Sequence, residues 1–215
     1  MVDSRMTGPL RAMIRRLREA GSGAGMVAPF EKAQNESQPP DRIMNALGLE
    51  PGMTVGEIGA GLGRMTVWLA ARVGDGGLVY ANDVVPRFLK MIRRRCRRLG
   101  FGHVVTCLGR ADDPGFRAGV LDRALMINVF PFLADPAALF GRLAPCLKPD
   151  GKLAVVEADP ARFANIELAV ERERIIVPAS RAGFVLEAVA DFLPRDNIYI
   201  FRKSADRPPY GTTAA

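Results

Sequence analysis

Between residues 54 and 157 short apolar runs alternate with amphipathic stripes. The runs at 54–58, 78–82, 104–108, 123–127 and 153–157 are rich in Val, Ile and Leu and have the length of strands. Between them, the segments at 62–72, 86–99 and 136–147 repeat apolar residues three and four apart, the period of a helix with one buried face, and a weaker helical pattern follows Pro114. Such alternation predicts a parallel sheet covered on both faces. Farther on, a helical pattern covers 163–180, and strand patterns at 184–192 and 197–203, joined through Leu193-Pro194, predict a terminal hairpin. Upstream, Leu10, Met13, Ile14 and Leu17 mark one face of an amphipathic helix that GSGAG at 21–25 ends. The polar segment PFEKAQNESQPPD (29–41) is expected to drape over the site of the following sheet. Its Pro39 and Pro40 favour an extended entry into a short helix at 42–47.

The first strand runs into the sequence VGEIGAGLG (55–63), a glycine turn that opens a helix. Glycines in such a turn let the main chain bend sharply and approach a ligand, and the helix beyond presents unpaired N–H groups. The dinucleotide-binding spacing is GxGxxG, but here the third glycine of that pattern falls on Arg64 and Gly63 comes one position early. Glu57, two residues before Gly59, would repel a pyrophosphate and suits an ammonium or sulfonium group instead. VGEIGAGLG resembles the cofactor-binding motif of class I S-adenosylmethionine-dependent methyltransferases.

Later segments resemble the same family in order. LKPDGKLAVVEAD (147–159) is similar to its turn before strand five, and AGFVLEAVADFLPRDNIYIFRK (182–203) to its closing strands. The resemblance covers about residues 30–203. It implies a Rossmann-like, doubly wound, seven-stranded α/β sheet in three αβα layers, mostly parallel with an antiparallel terminal strand. It also implies S-adenosyl-L-methionine as cofactor and S-adenosyl-L-homocysteine as product. The domain is expected at 29–203, after an N-terminal helix and linker at 1–28 and before a disordered tail at 204–215.

In an open parallel sheet ligands sit beyond the carboxyl ends of the strands. The expected cofactor residues are Glu57, Gly59, Ala60 and Gly61 after strand one, Asp83 and Val84 after strand two, Asp112 after strand three and Asn128 after strand four. Asp83 can accept hydrogen bonds from both ribose hydroxyls, cap the helix beginning at Pro86, or do both. The family commonly places an adenine-binding acid directly after a glycine. Here Arg110 follows Gly109, so the assignment moves to Asp112, with Asp113 as its rival. Asn128 occupies a slot where the resembling families place a short polar residue facing the methionine part of the cofactor. Pro131 and Phe132 stand where relatives often carry two histidines, so Phe130 and Phe132 are either an apolar wall or core.

No catalytic residue is singled out. Methyl transfer from a sulfonium needs alignment more than a base; should a base be needed, Glu157, Asp159, Glu31 and Glu36 are available. His103, the only histidine, opens strand three and belongs at the edge remote from the reaction.

Composition narrows the picture further. The chain has 215 residues, 48% of them hydrophobic and 25% charged, and no apolar run long enough for a membrane span. The basic N-terminus lacks the apolar block of a leader, which predicts a cytoplasmic protein. Cys96, Cys107 and Cys146 are widely spaced with one histidine between them, so buried thiols and no metal are expected. The net charge of +7 is concentrated, because residues 84–100 carry Arg87, Lys90, Arg93, Arg94, Arg95, Arg97 and Arg98 and no acid. Phe88, Leu89, Ile92, Cys96 and Leu99 form the apolar stripe of that helix, which turns the arginines outward as solvated surface or as a contact for an anionic partner. Three functions follow from these features. The favoured one is a methyltransferase with a small-molecule or protein acceptor. The others are an RNA methyltransferase docking through the arginine helix at 86–99, and a non-catalytic interaction module of the same fold. Nucleic acid is possible but not favoured.

Overall fold

The computed structural model describes residues 24–204 except 164 and 166, with side chains from residue 31 onward. The expected helix around Leu10–Leu17 and the tail beyond Ser204 lie outside the described residues.

The predicted alternation is present. Seven strands, β1 (Thr54–Ile58), β2 (Leu78–Asp83), β3 (Val104–Leu108), β4 (Leu121–Ile127), β5 (Leu147–Ala158), β6 (Phe184–Ala190) and β7 (Asp196–Lys203), form one sheet in the order β3-β2-β1-β4-β5-β7-β6. β1 to β5 are mutually parallel where they pair, and β7 lies antiparallel between β5 and β6. The helices are α1 (Ala24–Ser37), α2 (Pro40–Leu47), α3 (Arg64–Val73), α4 (Pro86–Arg98), α5 (Pro136–Leu143) and α6 (Arg172–Arg181). On one face α2 and α3 bury Ile43, Leu47, Leu69 and Val73 against Val55, Leu125 and Ile200, and α4 adds Leu89, Ile92 and Cys96 over Ala81. On the other face α5 and α6 bury Leu139, Phe140 and Ile175 against Phe184, Tyr199 and Phe201. These three layers place the carboxyl ends of β1, β2 and β4 side by side at the centre of the sheet.

Local sequence explains the helix starts. Proline stands at the first helical position of α2, α4 and α5, where no N–H is needed. The Asp135 carboxylate accepts from Ala138 N–H at 3.0 Å and caps α5. α2 ends on Gly48 at φ 65°, the left-handed closure that glycine favours.

Several expectations are corrected. The extended entry at Pro39 (φ -57°, ψ 117°) is present, but the polar segment before it is helical to Ser37, because FEKAQNE is a run of helix-compatible residues. No helix follows Pro114. The helix expected at 163–180 begins only at Arg172. Ahead of it, the Arg162 guanidinium donates to the carbonyls of Asp191, Leu193 and Asp196 near the β6–β7 connection. β5 starts at Leu147, and the KPDG turn is absorbed as an irregularity in its pairing with β4. Leu99 is 54% exposed, since the helix ends one residue before it. Cys96 and Cys146 are buried, while Cys107 is only partly so.

Candidate active site

Where the strand ends meet, the structure holds a cavity of about 320 Å³, within the size range of small-molecule sites. Its floor is the glycine turn. Gly59 has φ 72°, and a Cβ there would meet Val129 Cγ2 at 2.6 Å, so the residue is glycine for conformation and for contact with the β4 loop. Gly61 is different. It also has a positive φ, 55°, but a Cβ would find no protein atom within 4 Å, which leaves its face open to the cavity.

Asp83 ends β2 and is 6% exposed. Its Oδ2 accepts from Gly61 N–H at 2.8 Å and its Oδ1 from Val85 N–H at 2.9 Å. It does not cap α4, whose cap position is Val85. The carboxylate therefore ties the glycine turn to the neighbouring strand, and Ala60 N–H, donating to Asn82 O at 2.8 Å, adds a second tie. Burial raises the Asp83 pKa while these N–H donors oppose the rise.

Glu57 is 6% exposed and accepts one hydrogen bond, from the Thr66 hydroxyl at 2.5 Å. Burial pushes its pKa up to about 7, against the lowering effects of Thr66 and the Arg64 charge. Asn128 follows β4 with φ 55°, a left-handed conformation that asparagine tolerates better than most residues. Its N–H donates to Val156 O at 3.0 Å.

Seven of the expected residues line the cavity: Glu57, Gly59, Ala60, Gly61, Asp83, Val84 and Asn128. Asp112 does not. Its side chain is half exposed and faces Arg110 Nε at 3.7 Å. Asp113 pairs with the Arg110 guanidinium at 3.1 Å and is also outside the lining. Arg110 and Ala111 line that side instead. The two phenylalanines separate: Phe132 is in the wall, while Phe130 is 1% exposed and packs on Phe140.

The structure also brings in residues that the sequence reading did not place. Glu31 and Gln34 of α1 line the cavity, and both Glu31 oxygens accept from Arg95, at 2.6 and 2.8 Å, which clasps α1 to α4. Arg95 is thus turned toward α1 rather than outward. Arg64, noted only for displacing a glycine, is 9% exposed and lines the cavity. It donates to Asn35 Oδ1 at 3.0 Å and Gln38 Oε1 at 2.9 Å. Gln38, wholly buried between α1 and α2, donates in turn to Asn128 Oδ1 at 3.5 Å.

The candidate bases fall apart. Glu157 is 1% exposed, and its Oε1 accepts from Val129 and Phe130 N–H at 2.7 and 2.9 Å. It supports the β4 loop from behind and does not reach the cavity lining. Asp159 is engaged by Arg162 and Asn197, and Glu36 is exposed. His103 lies at the opposite sheet edge, with Nε2 3.0 Å from Ala70 O.

The sequence matches a family model described as a methyltransferase domain over residues 56–155, the span from the glycine turn to β5. Nocamycin O-methyltransferase of Saccharothrix syringae is 30% identical over 152 residues, 69% of this chain and 50% of that protein. The chain carries a methyltransferase domain of the class I, S-adenosylmethionine-dependent kind. Demethylmenaquinone methyltransferase of Tropheryma whipplei is 29% identical over 171 residues, 76% of this chain and 65% of that protein. The chain thus spans between half and two thirds of the length of these two methyltransferases. Other relatives bear the names of tRNA and protein-L-isoaspartate methyltransferases. In fold it superposes on a SAM-dependent methyltransferase from Aquifex aeolicus with a TM-score of 0.75 at 19% identity, covering 84% of this chain and 98% of that one. No helix among the described residues is long and apolar enough to cross a membrane.

Proposed function

We propose that this methyltransferase domain moves a methyl group from S-adenosylmethionine to a small-molecule acceptor. The observation that carries the donor assignment is Glu57, a buried carboxyl that lines the cavity and has no cation paired with it. The donor's ammonium and sulfonium are the charges such a group favours. Bound there, the donor supplies a methyl carbon already activated by its sulfonium.

The chain's own residues have two tasks. Asp83 and the Gly59–Ala60–Gly61 backbone offer acceptors and an open face for the nucleoside, and Val84 and Ala111 supply apolar contact beside it. Asn128, Val129, Phe132, Leu133 and Leu139 line the cavity beyond β4, and this mostly apolar wall excludes water. Holding the reactants in line accounts for about 7 to 11 kcal/mol of barrier lowering in well-aligned systems. No imidazole lines the cavity, and the Glu31 carboxylate is committed to Arg95. The acceptor is therefore one that arrives nucleophilic or sheds its proton to solvent.

A small acceptor is favoured because α1 lies over the cavity and is fastened there through Glu31, Asn35 and Gln38. The test is calorimetry with S-adenosylmethionine, followed by mass spectrometry for S-adenosylhomocysteine formed with a panel of phenols, thiols, amines and quinols. Absence of binding at millimolar donor refutes the donor assignment. Turnover with tRNA but with none of the panel refutes the acceptor class.

A further inference from the structure

Arg87, Lys90, Arg93, Arg94, Arg97 and Arg98 are all exposed on α4. They occupy the half of the helix turned away from its buried stripe of Phe88, Leu89, Ile92 and Cys96, and along the axis they extend about 17 Å. Arg93 donates to the Thr106 hydroxyl of β3 at 2.7 Å. Among the described residues, no ion pair or side-chain hydrogen bond engages the other five. The helix has no acid of its own, and Glu31 is taken by Arg95 on the α1 side. The result is an unbroken positive stripe that fits an extended anionic surface.

What lies beside the cations decides which anionic surface they fit. Leu99 and Leu108 are 54% and 60% exposed, the two most exposed large apolar side chains among the described residues. Leu99 directly follows the last turn of α4. Leu108 ends β3, an edge strand, on the same side as Thr106, which α4 reaches through Arg93, so it borders the helix toward its other end. Beside Leu99, a groove of about 360 Å³ is lined by Arg93 and Arg97 together with Cys96, Phe101 and Val104. Nucleic-acid surfaces pair cations with aromatic side chains on which bases stack, and a phosphate backbone offers nothing to exposed leucines. Cations flanked by exposed aliphatic side chains match the headgroup region of a bilayer instead, where charges meet lipid phosphates and leucines reach the acyl boundary. The sequence repeats the combination at 10–18, where Arg11, Arg15, Arg16 and Arg18 interleave with Leu10, Met13, Ile14 and Leu17.

We propose that the outer face of α4, with Leu99 and Leu108 at its two ends, docks this protein on an anionic lipid bilayer. None of the six cations and neither leucine lines the ligand cavity, so docking needs no methyl donor and is independent of the donor reading above.

The experiment is co-sedimentation of the full chain with unilamellar vesicles, one set of phosphatidylcholine alone and one containing phosphatidylglycerol. The wild type is expected to bind the anionic vesicles and not the neutral ones, with binding that weakens as salt is raised. The triple variant Arg94→Gln, Arg97→Gln, Arg98→Gln weakens it by roughly a hundredfold, at about fivefold for each basic residue near the surface. Leu99→Ser with Leu108→Ser keeps every charge and still weakens binding several-fold, because the insertion is lost. All five positions are exposed, so the melting temperatures of both variants should match the wild type. Failure of the wild type to prefer anionic vesicles overturns the proposal. Wild-type binding by the arginine variant also overturns it, since the attraction then resides elsewhere, as at 10–18. A single-stranded RNA oligonucleotide is the third arm. Should RNA bind more tightly than the anionic vesicles, and the leucine variant bind both as the wild type does, the face is a nucleic-acid surface and the bilayer proposal falls.

Discussion

Gly61 donates its N–H to Asp83 Oδ2 at 2.8 Å, so the bend between β1 and α3 hangs from the end of β2. One carboxylate thus shapes the turn and stands at its open face. Asp83→Ala leaves two part-buried N–H groups without their acceptor, at about 1 to 3 kcal/mol each as an upper range. Thermal denaturation should show a loss of roughly 5 to 10 °C, and calorimetry a loss of roughly tenfold or more in donor affinity. Unchanged affinity in a folded Asp83→Ala protein would remove Asp83 from the ligand site.

Gly61→Ala separates conformation from occupancy. The added methyl meets no protein atom within 4 Å, so its cost to folding is the left-handed strain of about 1 to 2 kcal/mol. Donor affinity should fall by more than that strain explains, because the methyl occupies the face open to the cavity. A variant that loses stability but binds the donor as the wild type does would place the ligand away from the turn.

Donor affinity should rise with pH. The Glu57 pKa is raised to about 7 in the free protein, and the carboxylate, not the acid, favours an ammonium. Below pH 7 binding must first ionise Glu57, so affinity drops toward roughly tenfold per pH unit; above it the dependence flattens. Titrations from pH 5.5 to 8.5 should show this bend in the wild type and a weaker dependence in Glu57→Gln.

Stability of the free protein should show the opposite trend. Glu157 is raised to about 8 and Glu57 to about 7, in both cases chiefly by burial. A carboxyl whose folded pKa exceeds its unfolded one contributes stability that is complete below about pH 4.5 and is lost as pH rises through the folded value. Melting temperatures compared at pH 5 and pH 8.5 should therefore favour Glu157→Gln increasingly at the higher pH. The amide oxygen can still accept from Val129 and Phe130 N–H and does not ionise. A constant gap between variant and wild type across this window would show that Glu157 does not titrate there.

Breaking the Glu31–Arg95 pair should loosen α1. The pair is bidentate and mostly shielded, with side chains 14% and 27% exposed. In Arg95→Met, amide exchange across 31–37 should quicken and donor dissociation should accelerate several-fold, with little change in the melting temperature. Unaltered exchange would mean that α1 is held by Arg64 and Gln38 alone.

The strands were legible because each is a short apolar run flanked by segments of a different period, even where, as in the edge strand β3, the run is only partly buried. The predicted 54–58 and 104–108 match β1 and β3 residue for residue. The ligand-facing ends followed from topology, and the glycine turn, Asp83 and Asn128 all reach the cavity. Asp112 lies outside the cavity lining, where both it and Asp113 face Arg110, an ion-pair arrangement that spacing does not encode. Arg64, Gln38 and Glu31 stayed hidden for another reason. Their roles arise where α1 and α2 cross α3 and α4, and no periodicity within one element reports a crossing. In α4 the apolar stripe holds for Phe88, Leu89, Ile92 and Cys96 but not for Leu99, and one arginine of the seven basic residues turns inward because a partner sits 64 positions earlier.

The position of β7 between β5 and β6 bears on how the molecule is made. Everything from Glu57 to Asn128 has left the ribosome while one whole flank of β5 still lacks its neighbour, since the strand that covers it is the last of the sheet to be synthesised. Until Asp196–Lys203 slots in, β5 offers an unpaired backbone edge beside Glu157, the residue that props up the β4 loop. The flank of β5 behind the ligand chamber therefore closes only once β7 has been made, and a chain stalled before that strand would expose a sticky border.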